Sequence, residues 1–249
     1  MSQIIGYKKN WYKEWFGEDY LTVYQHRDVK DAVKLIRLIR EHVEIKQQSY
    51  LLDLACGNGR HTYLLKCYSQ NIFGLDLSDS LLQQAMQKKG SEKFPSFVQA
   101  DMRYFPFKIR FDFIFSLFTS FGYFDKDEKH LKVAQEISEH LQPGGTFVID
   151  YFNADFVRKN LVAYGNRSIG DIKVKEKRWL SEKFVHKNIV IYKEEGIKYF
   201  QESVRMFELN ELAALLLQAG IKTHNVFGDY DGSLYSKNSK RMILFAKKA

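Results

Sequence analysis

The apolar positions of the chain follow two rhythms, and one gives way to the other near residue 152. Before that point, short continuous apolar runs alternate with longer segments of helical period. Lys30 to Val43, "KDAVKLIRLIREHV", puts Ala32/Val33, Leu35/Ile36 and Leu38/Ile39 on one helical face. "SYLLDLA" reads as a buried strand bounded by glycine, and "GRHTYLLKCY" as a helix. "NIFGLDLS" is a second strand, followed by a helix in "SDSLLQQAMQKK" with Ser78 as its N-cap. "SFVQAD" and "FDFIFSL" supply a third and a fourth strand. "DKDEKHLKVAQEISEHLQPGG" opens with acids, as a helix start favours, and stops at Pro143-Gly144-Gly145. "TFVIDYF" is a fifth strand. Strands alternating with helices predict a parallel sheet covered by helices on both faces.

Beyond Phe152 the period becomes two. "IKVKEKRWL", "KFVHKNIVIYK" and "IKYFQESVRMFEL" are polar/apolar alternations with short breaks such as Glu195-Gly196. They predict an antiparallel meander with one wet face. Helix and strand then resume in "NELAALLLQAG", "IKTHNVFG" and "MILFAKK". Residues 154–207 therefore read as an insertion in a single α/β domain spanning 1–249. Ahead of the sheet, residues 1–45 read as a helical lid. It carries the aromatics Trp11, Tyr12, Trp15, Phe16, Tyr20 and Tyr24.

The chemistry concentrates at the strand ends. "LLDLACGNGRH" ends an apolar run in Asp53 and follows it with Gly57 and Gly59. Glycines at the first strand-to-helix turn of a doubly wound sheet let the backbone approach a ligand. Asp53 there would repel a diphosphate and attract a cation. Asp76 ends the second strand, where an acid can accept hydrogen bonds from both hydroxyls of a ribose. Asp101 ends the third, placed to take an adenine amino group while Met102 packs against the ring. A dinucleotide site would want G-x-G-x-x-G, but the third glycine position holds Thr62. An adenosine-bearing cation fits better, and S-adenosylmethionine is one.

These motifs resemble those of class I S-adenosylmethionine-dependent methyltransferases. "LLDLACGNGRH", "GLDLS" and "QADMRYFPF" are similar to the first three motifs of that family. "FDFIFSLFTSFGYF" and "LQPGGTFVIDYF" are similar to the fourth strand and the strand-five hairpin. The likeness runs from about Tyr20 to Lys248. Among relatives it looks nearest to sugar-amine and glycine-type N-methyltransferases with a β-insertion after strand five. The resemblance implies a Rossmann-like seven-stranded sheet, its last strand antiparallel, and S-adenosylmethionine as donor with S-adenosylhomocysteine as product. It implies donor contacts from Asp53, Ala55, Gly57 and Gly59 in the first motif. Further contacts come from Asp76 and Leu77, from Asp101 and Met102, and from Leu117. An N-terminal tyrosine and arginine, here Tyr24 and Arg27, would close over the methionine end.

For the acceptor, Tyr123, Asn153 and Arg205 are the candidates, with the insertion as a roof. "SLFTSFGYF" lacks the N/D-P-P-Y grip used on planar base and amide nitrogens, which disfavours nucleobases and glutamine side chains. "GDYDGS" after the sixth strand is acidic enough to attract an amine, or is a turn capped by its own Asp and Ser. His61, just past the first motif, reads as packed or capped. No residue is assigned as a general base, because a neutral amine can attack first and lose its proton afterwards.

Composition narrows the alternatives. The net charge of +8, from 38 basic and 30 acidic residues, permits an anionic partner. The lysines are scattered, with no arginine-rich stripe, so a basic surface is favoured over a nucleic-acid footprint. A small-molecule acceptor is thus expected, with N or O as the methylated atom. An RNA methyltransferase and a non-catalytic S-adenosylmethionine-binding protein stay open as alternatives. No metal is expected: the histidines stand singly, and Cys56 and Cys67 lack ligand spacing. Two cysteines fit a cytoplasmic protein. No apolar run approaches a membrane span, and the first twenty residues lack the apolar core of a secretory leader.

Overall fold

The computed structural model describes residues 8–24, 29–89 and 91–249. Three helices lead in: α1 (Tyr12–Trp15), α2 (Glu18–Val23) and α3 (Val29–His42). The α/β alternation follows as β1 (Tyr50–Leu54), α4 (Arg60–Leu65), β2 (Asn71–Asp76), α5 (Asp79–Lys89), β3 (Ser96–Gln99), β4 (Phe111–Ser116), α6 (Asp127–His140) and β5 (Leu141–Phe152). Then come α7 (Ala154–Asn160) and four strands, β6 (Tyr164–Ile169), β7 (Ile172–Leu180), β8 (Phe184–Lys193) and β9 (Gly196–Arg205). The chain closes with α8 (Leu209–Gln218), β10 (Ile221–Phe227) and β11 (Arg241–Lys248).

The main sheet has seven strands in the order β10-β11-β5-β4-β1-β2-β3. β1, β2, β3, β4 and β5 run parallel, and β11 runs antiparallel to both β5 and β10. This is the expected doubly wound sheet with its last strand reversed. Alternate residues of each strand serve opposite faces. Leu51, Phe115, Val148 and Ile243 pack with Leu35, Ile36, Leu38 and Ile39 of α3. Their neighbours Leu52, Ile114, Ile149 and Leu244 pack with Val133, Ala134 and Ile137 of α6 and with Leu212 and Leu216 of α8. Both faces are therefore covered, which is why these strands read as continuous apolar runs. The strand order reverses beside β1, so a crevice opens beyond the carboxyl ends of β1 and β4.

The second sheet is antiparallel throughout, in the order β6-β7-β8-β9. It has four strands, where alternation predicts three. The missed strand is β6, "YGNRSI", which has little apolar pattern of its own. It is recruited by β7 through a two-residue turn at Gly170-Asp171, with Ile169 opposite Ile172. Gly170 has φ 56°, as such a hairpin turn needs. The short α7 was also unpredicted. Its signal is Asn153, whose side chain accepts the Asp155 N–H at 3.1 Å as an N-cap.

Residues 8–24 are stapled to β9. Lys8 N–H donates to Gln201 Oε1 at 2.7 Å, Trp15 Nε1 to Glu202 Oε1 at 2.6 Å and Trp11 Nε1 to the Ser203 carbonyl at 3.1 Å. Asp19 pairs with Lys193 at 2.6 Å and Lys198 at 2.8 Å. The N-terminal segment thus lies against the second sheet on one side and the crevice on the other.

Candidate active site

The turn after β1 departs sharply from ordinary backbone. Ala55, Gly57 and Gly59 have φ of 57°, 56° and 78°. At Gly59 a side chain would also be crowded. An added Cβ would lie 3.0 Å from the Tyr63 ring and 3.1 Å from the Phe97 ring. This turn brings Gly57 N–H to Asp76 Oδ2 at 2.7 Å, while Ser78 N–H reaches Asp76 Oδ1 at 2.8 Å. Each carboxylate oxygen accepts two hydrogen bonds readily, so the second lone pair of each stays available to a ligand. Burial pushes the Asp76 carboxyl up, and the Ser78 and Gly57 N–H groups offset part of that.

The crevice is a cavity of about 900 Å³. Ala55, Gly57, Asp76, Leu77, Asp101, Met102 and Leu117 all line it, as do Tyr24 and Tyr123. Asp76 and Asp101 are its two carboxylates among the described residues. Asp101 is held by Arg103, whose backbone N–H and Nε donate to Oδ1 at 3.0 and 2.9 Å. Burial raises the Asp101 carboxyl, but these bonds outweigh it and leave it below its ordinary value.

Several sequence candidates fall elsewhere. Asp53 does not line the cavity. It is buried beneath the loop, where Thr62 Oγ1 donates to it at 2.6 Å. Burial raises its carboxyl to about 7, and the Thr62 hydrogen bond recovers only part of that. Its role is to join the loop to the start of α4. Gly59 also sits behind the cavity wall, where its conformation shapes the turn. Asn153 is buried and spent: its amide donates to the Ser236, Lys237 and Ser239 carbonyls, and Tyr235 donates to its Oδ1. Arg205 is buried at the exit of β9. There it binds Glu211 at 2.9 Å, Asp127 at 3.2 Å and the Met206 carbonyl at 3.0 Å. Neither Asn153 nor Arg205 reaches the cavity. "GDYDGS" is the self-capped turn: Asp231 accepts the Ser233 N–H at 2.9 Å. Arg27 lies outside the described residues.

The roof also differs from expectation. Among the described residues, none from 154–207 lines the cavity. The covering residues are Tyr12, Phe16, Tyr20 and Tyr24 of the N-terminal segment. Phe16 and Tyr123 rings lie 5.4 Å apart, and Phe16 and Tyr20 5.0 Å apart. The second sheet stands behind them. Tyr24 turns its hydroxyl away from the cavity to donate to Glu202 Oε1 at 2.8 Å and accept from Lys187.

Sequence reasoning missed Arg60 and Phe118, which line the cavity and touch each other, the guanidinium 4.6 Å from the ring centre. It assigned His61 no role beyond packing. The imidazole lines the cavity yet is 6% exposed, and burial drops it to about 3, so it is neutral near pH 7. The spacing of His61 from Gly59 was the available signal.

A reversed-last-strand doubly wound sheet, with a glycine turn and a buried acid converging on a crevice at its switch point, is the arrangement expected from the likeness to class I S-adenosylmethionine-dependent methyltransferases. Residues 51–145 match the family model described as a methyltransferase domain. The chain accordingly carries a methyltransferase domain. It is 24% identical, over 87% of its length and 89% of the relative's, to a dTDP-3-amino-3,4,6-trideoxy-alpha-D-glucopyranose N,N-dimethyltransferase of Streptomyces venezuelae. It is 26% identical, over 83% and 89%, to a dTDP-4-amino-2,3,4,6-tetradeoxy-D-glucose N,N-dimethyltransferase of Saccharopolyspora spinosa. Its fold matches an S-adenosylmethionine-dependent methyltransferase of Clostridium acetobutylicum with a TM-score of 0.78 at 20% identity, over 96% and 99% of the two chains. Among the described residues no helix is long and apolar enough to cross a membrane, and no group of acids, histidines and cysteines could hold a metal ion.

Proposed function

We propose that the protein methylates an amine nitrogen of a small molecule, an amino sugar carried on a nucleotide being the class of choice. The donor supplies an electrophilic methyl on a sulfonium. The chain's own work is to bind, align and exclude water. Asp76 takes the two ribose hydroxyls with the lone pairs that Gly57 and Ser78 leave open. Asp101 and Met102 hold the adenine edge and face, with Leu77 beside them. The backbone around Ala55 and Gly57 and the side chain of Leu117 border the methionine portion. Aromatic faces from Tyr20, Tyr24 and Phe16 suit the sulfonium and a cationic product by cation–π attraction. The acceptor nitrogen must stand in line with the methyl–sulfur bond at about 3–3.5 Å. A carbon–nitrogen bond then forms as the carbon–sulfur bond breaks, and the nitrogen afterwards releases its proton to solvent.

The observation that carries the choice of nitrogen is the lack of a usable base among the described lining residues. His61, with its affinity for protons lowered to about 3, removes a proton poorly at neutral pH. Asp76 and Asp101 are engaged by backbone N–H groups and by Arg103. A hydroxyl acceptor would need a base, whereas a neutral amine does not. The mostly apolar, concave form of the cavity supports a small ligand over a polymer. The relatives' printed activities supply the amino-sugar class.

The test is transfer of labelled methyl from S-adenosylmethionine to three acceptors offered separately: dTDP-amino sugars, their 3- and 4-hydroxy counterparts, and total tRNA. The expected result is a mass gain of one or two methyl groups on the amino sugar alone. Methylation of the hydroxy counterparts or of tRNA in preference to the amines would overturn it.

A further inference from the structure

The loop after β4 holds two adjacent residues in a conformation that L side chains disfavour. Phe118 has φ 61° and Thr119 φ 62°, the left-handed region in which Cβ crowds the following carbonyl oxygen. Such strain persists where surrounding contacts over-determine it. Here the contacts converge on Asp150, which is fully buried near the end of β5. Its Oδ2 accepts the Phe118 N–H at 2.9 Å, and its backbone carbonyl accepts the Thr119 N–H at 2.8 Å. The carboxylate is held in turn from the C-terminal part of the chain. Tyr230 donates its hydroxyl to Oδ2 at 3.0 Å, and Arg241 donates to Oδ1 from Nε at 2.7 Å and Nη2 at 2.6 Å. Arg241 Nη2 also donates to Thr119 Oγ1 at 3.1 Å. The Arg241 guanidinium lies 5.7 Å from the centre of the Phe118 ring.

This cluster is not needed to join the strands. β5 and β11 already pair over seven positions, from Phe152 opposite Arg241 to Thr146 opposite Lys247. A buried ion pair is in itself a weak stabiliser, because desolvation offsets the attraction. What the cluster does determine is the shape of a cavity wall: Leu117, Phe118 and Ser120 line the cavity, and Thr119 does not. Resting on the methyltransferase reading, we propose that Asp150, Tyr230 and Arg241 form a clamp. It holds the Phe118–Thr119 backbone in its left-handed form so that the lining residues Leu117, Phe118 and Ser120 fit the methyl donor. They are positioning residues, since none of the three lines the cavity.

The experiment is calorimetric binding of S-adenosylhomocysteine, with melting temperature measured alongside. Asp150→Asn replaces an acceptor of Arg241 by an amide and is expected to weaken binding about tenfold, the scale of one lost charge-assisted contact. Adding Thr119→Gly to that variant is expected to recover most of the loss, because glycine adopts the left-handed form without a clamp. The single variants Thr119→Val and Thr119→Gly decide the matter even where Asp150→Asn fails to fold. Valine there is expected to bind about tenfold more weakly than glycine. A lowered melting temperature with unchanged affinity in Asp150→Asn, or equal affinities for the valine and glycine variants, would overturn the clamp. Failure of the wild-type protein to bind S-adenosylhomocysteine would instead sink the methyltransferase reading itself.

Discussion

The glycine-loop wall of the cavity and its aromatic wall are built in opposite ways. The first is local: Asp76 meets Gly57 19 residues away and Ser78 two residues away. The second is remote: Tyr24 of the lining, and Trp15 and Trp11 behind it, find their polar partners 178, 187 and 192 residues along the chain. The local wall is set by turn geometry, in which positive φ and strand-end acids do the shaping. The remote wall is set by a sheet that never touches the cavity but presents Gln201, Glu202 and Ser203 to the back of the lid.

The sharpest break between the walls should come from Asp76→Ala. It removes both the ligand's acceptor and the Gly57 anchor of the loop. Hydrogen bonds to a charged acceptor are worth about 1.5–3 kcal/mol each. Losing two implies at least about a hundredfold weaker S-adenosylmethionine binding, at about 1.4 kcal/mol per factor of ten. Calorimetry on the folded variant checks it; an affinity within about threefold of wild type, little over half a kcal/mol, would remove Asp76 from the donor site.

Asp53 tests whether the same wall contains a neutral acid. Its carboxyl holds a proton to about pH 7 in the folded protein and loses it near 3.8 in the unfolded chain. Between those values the folded state binds the extra proton. The stability this group contributes is therefore complete below 3.8, falls as pH rises through the window, and is lost above 7. Asp53→Asn should accordingly gain on the wild type by about 2–3 kcal/mol between pH 5 and 8, at about 1.4 kcal/mol per pH unit. Denaturant unfolding of both proteins at the two pH values measures this. A constant difference would mean that Asp53 is ionised throughout this range.

On the remote wall, Glu202 is the counterpart of Asp76. Trp15, Tyr24 and Lys187 all donate to or pair with its carboxylate. Glu202→Ala leaves those donors without their shared acceptor and should cost about 2 kcal/mol, the range for unsatisfied buried polar groups. Because the damage is to the lid's support, acceptor KM should rise more than the dissociation constant for S-adenosylmethionine. Equal rises in both would show that the two walls act as one unit.

The division between local and remote also explains what could be read from the chain. The seven-stranded sheet was legible because its central strands are buried on both faces and its turns carry glycine and acids at fixed offsets. Asp76, Asp101 and Met102, singled out by the same short-range logic, all line the cavity. β6 was not legible, since "YGNRSI" becomes a strand through pairing with β7. Asn153 and Arg205 were misassigned because strand-end position does not reveal which way a side chain turns. Asn153 caps α7 and ties down the 236–239 turn, and Arg205 joins β9 to α6 and α8. The lid aromatics were visible as a cluster. That the insertion would hold them from behind, instead of roofing the cavity, depended on contacts between residues nearly 200 positions apart.

Tyr123 stands where the walls meet, and it carries the smallest predicted effect. Its ring lines the cavity and packs on Trp11 at 5.2 Å and Phe16 at 5.4 Å. Its hydroxyl, the group that sequence reasoning assigned to the acceptor, donates to the Thr119 carbonyl at 2.6 Å. That carbonyl belongs to the left-handed turn after β4, so the hydroxyl helps fix the turn. Tyr123→Phe keeps the ring and deletes one neutral hydrogen bond, worth about 1 kcal/mol of stability. The lining surface hardly changes, so acceptor KM should shift less than about threefold, well under the 1.4 kcal/mol that a factor of ten represents. Steady-state kinetics with a dTDP-amino sugar, set beside the melting temperature, separates the two roles. A fall in kcat of a hundredfold at unchanged stability would mean that the hydroxyl leaves Thr119 and turns to the acceptor when both substrates are bound. Unchanged kcat and KM with a small loss of stability would leave Tyr123 as the hinge between the walls, acting through its ring and through the turn it steadies.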